Sequence, residues 1–147
     1  KKAIEYYELA KRDKKFEESA FYQIGVCYVM QKEWDSAEAV FNEILKKDPE
    51  NSTIKSSVAY IKANAGKFQE AIDLYRELYE QYPNDSSYLI NYINILIADK
   101  RFELASIKLN DLKEQFPDSN QITSFEEKIA DGLEPQTEET SEKDESL

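Results

Sequence analysis

Apolar side chains recur along this chain at intervals of three and four, the period of a helix with one buried face. In "KFQEAIDLYRELYEQYPND", residues 67–85, Ala71, Tyr75 and Leu78 line one face, while Asp73, Arg76, Glu77 and Glu80 fill the other. Pro83 lacks an amide donor and cannot continue the helix, and Asn84, Asp85, Ser86 and Ser87 supply cap candidates for the next. The same pattern recurs 34 residues away on either side: Ala37, Ala71 and Ala105 keep step with Pro49, Pro83 and Pro117 and with Trp34, Phe68 and Phe102. Large apolar residues follow each alanine, as Phe41 and Ile44, Tyr75 and Leu78, or Leu109 and Leu112. A period held at so many positions predicts stacked helical units.

Each unit needs a first helix, and the residues ahead of each alanine supply it. "FYQIGVCYVM" sets Phe21, Ile24, Gly25 and Tyr28 on one face; a mid-helix glycine, which costs about 1 kcal/mol, is explained by a close approach of two helices. In the second unit Ile54, Val58, Ile61 and Ala65 form the stripe, and in the third Leu89, Tyr92, Ile93 and Leu96 do so. Ile93 replaces the glycine there and predicts a slightly wider spacing of that pair. "SNQITSFEEKIADG" places Ile122, Phe125 and Ile129 on a stripe before Gly132, the form of a terminal capping helix.

The pattern resembles the tetratricopeptide repeat (TPR). That family marks its first helix by a large residue, Leu-Gly and Tyr, and its second by Ala, Phe, a small or apolar residue and Pro. Phe21, Ile24, Gly25, Tyr28, Ala37, Phe41, Ile44 and Pro49 occupy the marked places of the first unit. The second unit departs from it, with Lys55 and Lys62 where bulky residues are expected and Ala59 for the glycine. The resemblance implies an all-α fold, a right-handed α-solenoid of antiparallel helix pairs. Its expected parts are the second helix of a partial preceding repeat over 1–17, repeats over 18–51, 52–85 and 86–119, a capping helix over 120–132, and an acidic disordered tail over 133–147. Ala3, Tyr7 and Ala10 support the partial repeat, since they precede Ala37, Phe41 and Ile44 by 34.

Composition narrows the function. The 147 residues contain no histidine, so triads built on that base cannot form, and the commonest metal ligand is missing. The single cysteine, Cys27, cannot form an internal disulfide and is expected as a small buried hydrophobe. Net charge is -11, the wrong sign for holding phosphates, and six acids between Glu134 and Leu147 face Lys143 alone. No nucleic acid is expected as a partner, and no apolar run suffices for membrane insertion. "DPENS" at 48–52 clusters oxygen ligands, but Thr53 and Ala59 stand where a calcium loop needs its glycine and glutamate, so an inter-repeat turn is expected. Gly25, Gly66 and Gly132 are isolated and build no phosphate loop. Neither enzyme activity nor a cofactor or metal is expected.

In such a fold the first helices line a concave groove, a surface for an extended peptide or a helix. Carried over from the resemblance, the peptide-binding positions are Tyr22, Val26, Val29 and Met30 in the first unit, Ser56, Tyr60 and Asn64 in the second, and Ile90, Asn94 and Ile97 in the third. Ser19, Gln23, Ser57, Ala63, Asn91 and Ala98 belong to the same set. Many co-chaperones of the family hold terminal carboxylates with lysines, an arginine and asparagines, but the matching places here hold Tyr22, Val26, Ser57, Ser87 and Asn91. Chaperone tails are therefore rejected as ligands. The function expected is a non-catalytic interaction scaffold or adaptor that takes a hydrophobic or amphipathic peptide or helix of a protein partner. The alternative is structural self-association, a homo-oligomer formed through the apolar third repeat, where "YLINYINILIA" carries Ile90, Ile95 and Ile97 off the packing stripe. The expected compartment is cytoplasmic. The periplasm or cell envelope is the alternative, because "YPND" and "FPDSN" resemble repeat ends of bacterial envelope members, and a chain starting at Lys1 would have lost any targeting segment.

Overall fold

The computed structural model of the chain describes residues 17–134, with Lys2, Glu5 and Leu9 before them at helical positions. The rest of the partial repeat expected over 1–17, and the acidic tail from 135 onward, lie outside the described residues. Among the described residues there are helices and no strands: α1 (Glu17–Met30), α2 (Trp34–Lys47), α3 (Ser52–Asn64), α4 (Phe68–Gln81), α5 (Ser86–Ala98), α6 (Phe102–Gln115) and α7 (Ile122–Leu133). Each packs on the next in chain order, and α7 also reaches α5, so the chain is an all-α solenoid.

The prolines end the second helices as the pattern requires. α2, α4 and α6 each stop two residues short of one, and the residue before it, Asp48, Tyr82 or Phe116, leaves helical geometry while its N–H still bonds Ile44, Leu78 or Leu112. The Asn51 side chain then accepts from the Ile54 amide at 3.1 Å to cap α3, and Asp85 accepts from Ser87 at 3.0 Å to cap α5. The 48–52 stretch is thus an inter-helix turn. Within each pair the turn repeats as well: Lys32, Gly66 and Lys100 have φ of 58°, 78° and 58°. After each one an amide bonds a carbonyl five residues back (Glu33 to Tyr28, Lys67 to Lys62, Arg101 to Leu96), the closure of a helix by one left-handed residue.

The stripes found by periodicity are the core. Phe21, Ile24, Ala37, Phe41 and Ile44 are buried, as are their counterparts through Leu112, Phe125 and Ile129. Three repeat-equivalent pairs of positions are buried: Gly25 and Phe41, Ala59 and Tyr75, and Ile93 and Leu109. The first is in tight contact, since a Cβ at Gly25 would lie 2.6 Å from Phe41 Cε2. In the third unit the larger Ile93 is matched by the smaller Leu109, and both are buried.

Two sequence readings need correction. Cys27 is exposed, because it lies on α1 away from the Phe21–Ile24–Gly25 face. Gly132 lies inside α7 and does not follow it; its bare Cα faces Phe102, whose ring would be 2.3 Å from an added Cβ.

The two lysines that depart from the repeat pattern, Lys55 and Lys62, are centres of ion pairing. Lys62 Nζ lies 2.6 Å from both Glu38 Oε1 and Glu70 Oε2, and Lys67 Nζ lies 2.9 Å from Glu38 Oε2. Lys55 Nζ lies 2.9 Å from Glu77 Oε1 and 3.5 Å from Glu50 Oε2. Burial alone would raise the Glu38 carboxyl, but hydrogen bonds and charge from Lys62 and Lys67 outweigh it and hold its pKa below the ordinary value. Burial likewise works to lower Lys62, and Glu38 and Glu70 overcome it, leaving its pKa raised. Both lysine side chains are largely shielded from solvent while their ammonium groups are neutralised.

Candidate peptide-binding groove

The first helices α1, α3 and α5 leave two adjoining cavities between them. One, of about 300 Å³, lies among Tyr22, Val26 and Val29 of α1, Ser56, Ser57 and Tyr60 of α3, and Asn91 of α5, with Phe41, Ile61 and Tyr75 beneath. The second, of about 310 Å³, lies among Tyr60, Ala63 and Asn64 of α3 and Asn91, Asn94 and Ala98 of α5, over Phe68, Tyr75 and Ile95. Tyr60, Tyr75 and Asn91 belong to both, so the two form one groove with Tyr60 standing at its middle.

No lining residue is charged. Tyr60 is 49% exposed and offers a ring face and a hydroxyl, while Tyr22 is set edge-on against Phe41, centroids 5.7 Å apart, which holds its ring at the wall. Asn64 donates to the Tyr60 carbonyl of its own helix at 2.8 Å, which leaves its amide oxygen and its second N–H for a ligand. The side-chain amides of Asn91 and Asn94 make no hydrogen bond to any described residue, and each presents both a donor and an acceptor. At the floor, burial pushes the Tyr75 hydroxyl up to about 12 against the opposing pull of a hydrogen bond with Ser56, so it stays neutral. Apolar walls with a few unengaged amides can bury side chains and pair with a peptide backbone.

Of the ten positions expected from sequence, Tyr22, Val26, Val29, Ser56, Tyr60, Asn64 and Asn94 come together here. Three do not. Met30 is 79% exposed at the last residue of α1, and Ile90 and Ile97 are half-buried against the core of the C-terminal helices. Ile95, the third isoleucine off the stripe, is buried. The apolar character of α5 is thus largely spent on α4, α6 and α7. The floor residues Phe41, Phe68, Tyr75 and Ile95 were not among the expected positions. Phe41, Phe68 and Tyr75 sit on the packing face by periodicity; Phe41, Tyr75 and Ile95 stay buried, and only the gap between first helices makes the four line the cavities.

Among the described residues no cluster of acids and cysteine is arranged to hold a metal, and no helix is long and apolar enough to cross a membrane.

Comparison with known proteins agrees with this architecture. Over 136 residues the chain is 26% identical to an uncharacterized lipoprotein of Treponema pallidum (strain Nichols), covering 90% of this chain and 69% of that protein. Among solved structures it resembles the TPR2B domain of yeast Sti1 in complex with pHsp70, with a TM-score of 0.65 at 20% identity over 80% of this chain and 96% of that one. It also resembles MamA AMB-1, with a TM-score of 0.58 at 15% identity, covering 90% of this chain and 86% of that one. A tetratricopeptide repeat family model matches residues 63–129 and another matches residues 19–51. With its repeating helix pairs, left-handed turns and small-to-large contacts, the chain belongs to the tetratricopeptide repeat family.

Proposed function

We propose that the chain is a non-catalytic scaffold that binds an uncharged, hydrophobic or amphipathic segment of a protein partner in the groove between α1, α3 and α5. The observation that carries this reading is the continuity of a charge-free groove across all three first helices, with Tyr60 at its centre and the amides of Asn91 and Asn94 unengaged. Sti1, whose TPR2B domain was solved in complex with pHsp70, has a similar fold, and that complex supports a protein partner in general. The ligand differs in chemistry. Tyr22, Val26, Ser57 and Asn91 line the groove with no cation to meet a terminal carboxylate, and the Ser87 hydroxyl is bonded to Asp85 at 2.6 Å. Likeness to a lipoprotein favours the cell envelope over the cytoplasm as the place where this partner is met.

Selection from a peptide display library tests the proposal. Uncharged apolar sequences should be enriched, and a Tyr60→Ala, Asn94→Ala double variant should lose at least tenfold in affinity, roughly 1.4 kcal/mol, with its helical circular dichroism intact. Both side chains are exposed, so the fold should tolerate their removal. Enrichment of acidic C-termini, or equal binding by the double variant, would refute it.

A further inference from the structure

The groove is not uniform along its length. Tyr60, Tyr75 and Asn91, the residues common to both cavities, form a waist between them, and each ends in a hydroxyl or an amide. Beyond the waist the walls are mainly apolar, with Val26, Val29 and Ile61 on one side and Phe68, Ile95 and Ala98 on the other. Polar groups there are partly engaged already: Ser57 donates to the Thr53 carbonyl at 3.0 Å, and Asn64 to the Tyr60 carbonyl at 2.8 Å.

Hydrogen-bonding capacity is left over at the waist. The side chain of Asn91 and the hydroxyl of Tyr60 make no hydrogen bond to any described residue. Tyr75 is hydrogen-bonded with Ser56, which leaves its hydroxyl one further bond to make, and Tyr60 is close enough to act on it through charge, so the two hydroxyls converge. Packing does not require the hydroxyl of Tyr75, because Phe41 and Leu109 hold the equivalent place in the neighbouring units and are buried without one.

A partner that covers these groups must pair with them, since a polar group shut off from water and left without a partner is costly. The middle of an α-helix cannot do so with its backbone, whose amides and carbonyls already bond one another along the helix. An extended segment has both groups free, and its side chains two residues apart point to the same side.

We infer, resting on the groove being the binding site proposed above, that the partner is held as an extended backbone and not as a helix. Its peptide groups cross the waist and pair with Asn91, Tyr60 and Tyr75, while two uncharged apolar side chains two residues apart enter the cavities on either side. The absence of charge from the lining matches anchors that carry none.

Peptides from the display selection above, titrated against the whole chain by fluorescence anisotropy, supply the test. Alanine scanning should place two dominant apolar anchors two residues apart. Replacing the peptide groups between them by esters, which removes the N–H and keeps the extended shape, should weaken binding about tenfold, the order of one lost hydrogen bond. The same replacement should make little difference to an Asn91→Leu variant, where that pairing is already gone. A lactam bridge that locks the peptide into a helix should abolish binding. The inference is overturned if the ester peptide binds as well as the amide, if the anchors fall at helical spacing, or if the helix-locked form binds as tightly as the free one; in each case the groove still stands as the binding site. Failure of the groove itself reads differently, as no enrichment of uncharged peptides or as equal binding by the Tyr60→Ala, Asn94→Ala double variant, and overturns both. The ester and lactam comparisons use the unaltered chain, so they decide even if Asn91→Leu fails to fold.

Discussion

Adding one methyl group at Gly25 tests the small-to-large contact that sets the spacing of α1 and α2. The Cβ would lie 2.6, 2.8 and 3.0 Å from Phe41 Cε2, Cζ and Cδ2. Carbon atoms rest at about 3.5–4.0 Å, so the ring would have to retreat by about 1 Å. Phe41 is 2% exposed, and its ring also meets Tyr22 edge-on, so it has little room to withdraw. Such overpacking costs about 1–3 kcal/mol, while replacing a mid-helix glycine by alanine returns about 1 kcal/mol. Gly25→Ala should therefore destabilise the first pair by about 1 kcal/mol. In a Phe41→Leu background, the pairing principle seen at Ile93 and Leu109, the same change should stabilise by about 1 kcal/mol. The cycle then has a coupling of about 2 kcal/mol, within the range found for residues in contact. Trp34, the single tryptophan and packed on the same core, reports the local transition by fluorescence in urea. An equal effect of Gly25→Ala in both backgrounds would show that the ring yields freely and that the close approach is not what requires glycine.

Gly66 has φ +78° and open space around a would-be Cβ, so Gly66→Ala should lower stability by about 1 kcal/mol through backbone strain alone; Lys100→Gly, relieving φ 58° at the equivalent turn, should not lower the melting temperature. Tyr75 is raised from 10.0 to about 12 by burial, so its contribution is fully present below pH 10 and disappears as pH climbs through about 12. Tyr75→Phe should make alkaline unfolding shallower over that window, and an unchanged slope would argue against a buried hydroxyl. Glu38 is lowered below 4.5, so its stabilisation is present above that pH and lost as pH falls through the folded value. Glu38→Gln should weaken the chain at neutral pH and flatten its acid dependence, read as urea midpoints from pH 6 to 3.

Periodicity alone located the elements, because a helix with one buried face must repeat its apolar residues every three or four positions. The buried stripes of α2, α4 and α7, and the proline stops at Pro49, Pro83 and Pro117, follow from that and from the chemistry of a missing amide. Seven of the ten positions carried over from the family resemblance line the two cavities, as residues of a first helix that packing does not consume. Met30, Ile90 and Ile97 do not, since whether an outward apolar residue meets solvent or a neighbouring helix depends on where the chain comes back. The exposure of Cys27 escaped for a related reason, as composition gives the usual surroundings of a residue type and not the side of the helix on which it sits. Lys55 and Lys62 looked like flaws in the pattern until the fold brought Glu38, Glu70 and Glu77 to them, from 8 to 24 residues away along the chain. By itself the sequence determined the all-α character, the helix-pair period and the stops between pairs, all of which are local in the chain. Tertiary structure decided which charges met, which floor residues showed between the first helices, and where one core ended and the next began, because those depend on distances between residues remote in sequence.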